Sequence, residues 1–114
     1  MAVSYHLRLP DPGAARGGDA RFAFHSSGAE GLAQELQEAL RSPALFQRWR
    51  ALQDDPDGVS ISLDGADPAA VVTGEQDDLS VRLKATTALP GEAFKHRLRL
   101  LAGSHWELRD VTSG

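Results

Sequence analysis

Four histidines and ten arginines are the residues of this 114-residue chain best equipped for chemistry. His6, His25 and His105 each stand in a short stretch where polar and apolar residues alternate. Strands laid side by side would therefore gather three imidazoles on one surface. Neutral imidazole ligates metals and titrates near neutral pH. The chain, however, has no H-x-H or H-x-x-x-H pair, and no cysteine to act as thiolate ligand, nucleophile or disulfide partner. Ser104 and His105 are adjacent, and in a strand adjacent side chains point to opposite faces, which spoils a nucleophile–base pair. There is no G-x-S-x-G elbow, no G-x-x-x-x-G-K-[ST] loop and no G-x-G-x-x-G turn. Gly17-Gly18 lacks the following helix that an anion site needs. Glu30, Glu35 and Glu38 fall on the solvent side of a helical pattern. The expectation is a protein that is not an enzyme and needs neither cofactor nor metal.

The arginines pose the stronger question, and their surroundings are uneven. Between Ala51 and Val81 there are eight acids and no base; between Arg82 and Arg109 there are six bases and two acids. The acids collect in turn-like stretches, Asp54-Asp55-Pro56-Asp57-Gly58, Asp64-Gly65-Ala66-Asp67-Pro68 and Gly74-Glu75-Gln76-Asp77-Asp78, where Asp is favoured for its local backbone hydrogen bonds. None matches the spacing of a calcium loop.

Five alternating stretches position the cations. Ser4–Leu9 puts Tyr5, Leu7 and Leu9 on one side. Arg21–His25 does the same with Phe22 and Phe24, Val59–Leu63 with its aliphatics, Leu79–Ala85 with Leu79, Val81 and Leu83, and the last segment with Trp106 and Leu108. Ala70–Thr73 is a further short strand. Ser27 and Glu30 form a capping-box pattern ahead of a helix with Leu32, Ala33, Leu36, Ala39 and Leu40 in one arc. Ser42-Pro43 restarts a second helix with Leu45, Phe46, Trp49 and Leu52 inward. Pro90 opens a third with Phe94, Leu98 and Leu101 inward, Arg97 at the rim, Lys95, His96 and Arg99 outside, and Gly103 as its stop.

The fold class expected is α+β: two layers, a mainly antiparallel sheet in the order β-β-α-α-β-β-β-α-β, with the helices packed on one face. Residues 1–114 form a single domain, with 10–19 a mobile loop rich in Pro and Gly. The sheet face turned away from the helices would then carry Arg8, Arg21, His25, Arg82, Lys84, His105 and Arg109, with His6 beside them and Glu107 as its one acid. Three readings of that face stand side by side: a solvated surface, a binding face for an anionic partner, and a self-association face. Arginine favours carboxylates and phosphates through paired donors.

Nucleic acid is not the expected partner, because the face has no aromatic residue for base stacking and the net charge is −4. No apolar run is long enough for a membrane span, and the N-terminus has no signal-peptide pattern. Arginine outnumbers lysine ten to two, the usage of a GC-rich, bacterial genome. The reading is a cytoplasmic, non-enzymatic interaction or adaptor module, monomer or homodimer, that binds another protein through a basic sheet face and acidic loops. The alternatives are a small-anion- or metal-dependent enzyme built on the histidine-bearing face, and a structural homodimer.

Overall fold

The computed structural model describes residues 2–19, 21–26, 28–59 and 65–113. Strand β1 (Val3–Leu9) is followed by helices α1 (Ala29–Arg41) and α2 (Ala44–Ala51) and a single 3-10 turn at Pro56–Gly58. Then come β2 (Val71–Asp77), β3 (Ser80–Thr87), α3 (Gly91–Ala102) and β4 (Glu107–Ser113). The four strands form one antiparallel sheet in the order β2-β3-β1-β4. The α+β, two-layer architecture with helices on one face is as the periodicity predicts. Strands β1 and β2 run in the same direction with β3 inserted between them. This is the split β-α-β connectivity of ferredoxin-like sheets, with α2 as an extra element, and a fold of this kind hosts many functions without implying one.

Alternation decides which face is dry. Tyr5, Leu7 and Leu9 of β1 and Val81, Leu83 and Ala85 of β3 are all buried. They meet Leu32, Ala33, Leu36, Ala39 and Leu40 of α1 and Ala93, Phe94, Leu98 and Leu101 of α3. Tyr5 and Phe94 stack with ring centroids 4.1 Å apart and planes 12° from parallel, which fixes α3 over β1. Each fully buried Leu or Phe stabilises the fold by about 1.5–3 kcal/mol. Gly103 ends α3 at φ 64°, a conformation that favours glycine.

Several sequence expectations need correction. Arg21–His25 is not a strand: the Phe22 and Ala23 amides turn back onto the Asp19 carbonyl, and the Phe24 amide bonds Leu101. Phe22, Ala23 and Phe24 are buried in succession, so this segment plugs the core instead of presenting one wet face. The strand expected at Val59–Leu63 falls largely on residues 60–64, outside the described residues, as does Ser27; Val59 lies in a bend. Helix α1 begins after Gly28 with no side-chain cap. Glu35 instead accepts the His25 and Ser26 amides at 2.8 and 3.0 Å, so it anchors the approach to the helix and is not merely solvated.

The expected strand Ala70–Thr73 runs on to Asp77, and the chain turns at Asp78 (φ 56°) and Leu79. Leu79 is therefore 83% exposed at the hairpin tip and not in the core. Leu52 lies beyond α2, also exposed. Arg97 is fully buried, not at the rim. Its guanidinium donates to the carbonyls of Ala39 and Gly65, stapling α3 to α1 and to the chain approaching β2. The 10–19 segment packs on the end of α3: Ala15 is buried and the Gly17 amide bonds Leu101.

Candidate docking surface

Register places the charged residues of the open face in two rows. One row runs Glu75, Arg82, Arg8, Glu107 from β2 to β4; the next runs Thr73, Lys84, His6, Asp110. Cations thus occupy the two central strands, and carboxylates occupy both edge strands. Arg82 lies 3.5 Å from Glu75 and 3.7 Å from Asp77, and Arg8 lies 3.4 Å from Glu107. A bulge opposite His6/Leu7 leaves Arg109 as an extra residue of β4, and its guanidinium reaches Glu107 at 3.3 Å. The Lys84 side chain makes no ion pair or hydrogen bond among the described residues. The third row, Val71, Thr86, Ser4, Thr112, is uncharged. Ser4 and Thr86 share a 2.8 Å hydroxyl hydrogen bond, and His6 Nε2 meets the Thr112 hydroxyl at 3.0 Å.

His6, Arg8, Glu75, Arg82, Lys84 and Arg109 are among the residues that line a shallow basin of about 590 Å³. Its ion pairs are solvent-exposed, and exposed pairs contribute about 0–1 kcal/mol each. They set orientation more than stability, so an incoming charge can replace either member at little cost.

Of the residues expected on a basic sheet face, Arg8, Arg82, Lys84 and Arg109 come together with His6. Arg21, His25 and His105 do not. Arg21 donates to Asp19 through the Nε/Nη2 edge of its guanidinium, at 3.0 and 2.6 Å. The side-chain hydrogen bond within that pair lowers the Asp19 pKa and raises that of Arg21. His25 and Arg21 instead line a groove of about 580 Å³ between the 21–25 segment, α1 and α2, with Glu38 and Arg48 at its rim. His105 lies exposed in the turn before β4. The histidine-bearing face therefore holds a single histidine, and no group of three metal-ligating side chains converges among the described residues.

The face is also not as basic as the sequence implies. Glu75, Asp77 and Asp110 lie on it beside Glu107, against Arg8, Arg82, Lys84 and Arg109. Glu75 and Asp77 were missed because Gly-Glu-Gln-Asp-Asp carries turn residues and almost nothing apolar. A signal did exist: a two-residue turn at Asp78-Leu79 sets Glu75 opposite Arg82 by counting alone.

The acidic stretches divide in role. Asp54, Asp55 and Asp57 are exposed. Asp67 is structural: it accepts the Ala88 amide at 2.8 Å, the Thr87 hydroxyl at 2.9 Å and the Ala69 amide at 3.1 Å. The Ala88 hydrogen bond is the largest cause of its lowered pKa. His96, expected on the outside of α3, packs edge-on against Trp49 (4.4 Å) and near Phe46 (5.8 Å). Its Nδ1 is buried without a hydrogen-bond partner among the described residues. Burial first, then Arg97 and Arg99, lowers its pKa.

Comparison of the chain with protein-family models, with curated proteins and with solved structures yields no match. No helix among the described residues is long and apolar enough to cross a membrane.

Proposed function

We propose that the chain is a non-enzymatic interaction module, acting in the cytoplasm, that docks a partner protein on its open sheet face. One observation carries the reading: no helix among the described residues covers this face, and its central strands hold Arg8, Arg82, Lys84 and His6 between two carboxylate-bearing edges. A complementary surface presents carboxylates to the middle of the sheet and cations to its margins. Such alternation adds selectivity and association rate more than affinity. Lys84, a cation of this face whose side chain has no ion pair among the described residues, is the first contact for an acidic side chain. The exposed Asp54, Asp55 and Asp57 supply a second surface of opposite sign, on the α2 side of the molecule.

Fluorescence anisotropy with labelled hexaglutamate as the probe tests this reading at low salt. The wild-type protein is expected to bind it, and Lys84→Glu to weaken binding roughly tenfold, a loss on the order of 1.4 kcal/mol. Binding should fade as added salt shortens the screening length, and hexalysine should bind no more tightly than hexaglutamate. Equal binding by wild type and Lys84→Glu would overturn the reading.

A further inference from the structure

The two margins of the sheet are finished differently. At the start of β2 the backbone is held by α1: the Gln37 side-chain oxygen accepts the Val72 amide at 3.0 Å, and Arg41 Nε donates to the carbonyl of Ala70, just before the strand, at 2.6 Å. The helix comes so close that a Cβ on Gly74 would lie 2.4 Å from the Ala29 carbonyl oxygen. At β4 all seven residues are exposed, and among the described residues β1 is the one element closely packed on the strand. Leu108 and Val111 pair with Leu7 and Tyr5 and so belong to the helix side, yet they are 37% and 46% exposed. An open edge with apolar side chains on one face is a template for another strand.

We propose that this other strand is β4 of a second copy, paired antiparallel about a two-fold axis between Arg109 and Asp110. The strand is self-complementary in that register alone. Leu108 faces Val111 of the second copy on the helix side, and Arg109 faces Asp110 of the second copy on the open side. By symmetry each pair occurs twice. A shift of one residue sets Arg109 against Arg109 or Asp110 against Asp110, and directly opposed like charges destabilise a strand pair. A shift of two sets Glu107 against Asp110 or Asp110 against Val111. Asp110 already bonds the Val111 amide through Oδ1 at 2.9 Å; its second oxygen faces the incoming arginine. The product is one eight-stranded sheet in which the two open faces become continuous, so that each docking basin gains a neighbour. A single strand pair with few side chains makes an interface at the small end of the range, hence a concentration-dependent dimer.

Light scattering after size exclusion over a series of concentrations tests the proposal, using wild type, Arg109→Asp, Asp110→Arg and the double swap. The expected result is a wild-type mass rising from monomer towards dimer, monomer for each single variant, and a return of the dimer in the double swap. A wild type that stays monomeric at the highest concentration overturns it. So does a dimer indifferent to either single reversal, which would place the contact elsewhere. Should a single variant unfold, amide exchange on the wild type decides: β4 amides gain protection with concentration if the strands pair, and show no change if they do not.

Discussion

The two edge strands of this sheet teach opposite lessons about the same backbone. Strands β2 and β4 each carry two large apolar residues, Val71 and Val72 on the one and Leu108 and Val111 on the other, yet β2 is held by a helix that takes up its Val72 amide and lies against its glycine. On β4 Leu108 and Val111 stay 37% and 46% exposed, and no helix among the described residues packs closely on the strand. Side-chain apolarity alone therefore does not say which edge of a sheet is closed. Closure here comes from Gln37 and Arg41, polar residues of α1 that substitute for a missing strand.

The largest effect expected from this difference is in packing. Leu83→Ala on β3, beneath α1, should cost about 2–5 kcal/mol in chemical denaturation. Val111→Ala on β4 should cost less than about 1 kcal/mol, since its side chain is already half in water. Equal losses would erase the distinction between covered and bare halves of the sheet. Next comes Gly74→Ala, whose added methyl must push α1 away from β2; a loss of about 1–3 kcal/mol is expected. The same change of size at an exposed β4 position, Ser113→Thr, should stay within about 0.5 kcal/mol. Gln37→Ala is smaller again, about 1 kcal/mol, but it should unseal the edge: amide exchange at Val72 accelerates towards the rate of the outer β4 amides.

How much of this was legible in the sequence follows from range. The strand 3–9 and the helices 29–41 and 91–102 could be read because their apolar residues repeat at the period of the element that buries them. The hairpin acids could have been found, because their placement depends only on a two-residue turn. Arg8 beside Glu107 could not: ninety-nine residues separate them, and no local pattern fixes that register. The segment 21–25 misled because Phe22 and Phe24 alternate like a strand while Ala23 is buried too. A small residue between two large ones hides the difference between a wet face and a plug. Arg97 misled for the converse reason. Its position beside the apolar stripe of the helix argued for the rim, but two carbonyls in the core accept its donors.

The smallest effects lie in pH, and they belong to the covered half. The His96 pKa is lowered in the folded state, so its contribution is complete above the ordinary imidazole value of about 6.5. Stability should fall as pH drops from there through the lowered folded value. His96→Phe should flatten that slope. Asp67, also lowered, contributes fully above the ordinary carboxylate value and loses its contribution as pH falls through its own lower one. Asp67→Asn should remove this second, more acidic decline. Neither substitution should alter exchange at β4, which touches neither group.

The claim that the open sheet face, and not the groove between α1 and α2, is where the molecule meets an acidic partner is tested most directly by mapping. Amide chemical shifts of the labelled protein are followed while unlabelled hexaglutamate is added. The account predicts a footprint on His6, Arg8, Arg82, Lys84 and their strand neighbours, vanishing in Arg82→Glu. A footprint on Arg21, His25 and Arg48, or none at millimolar peptide, would contradict it.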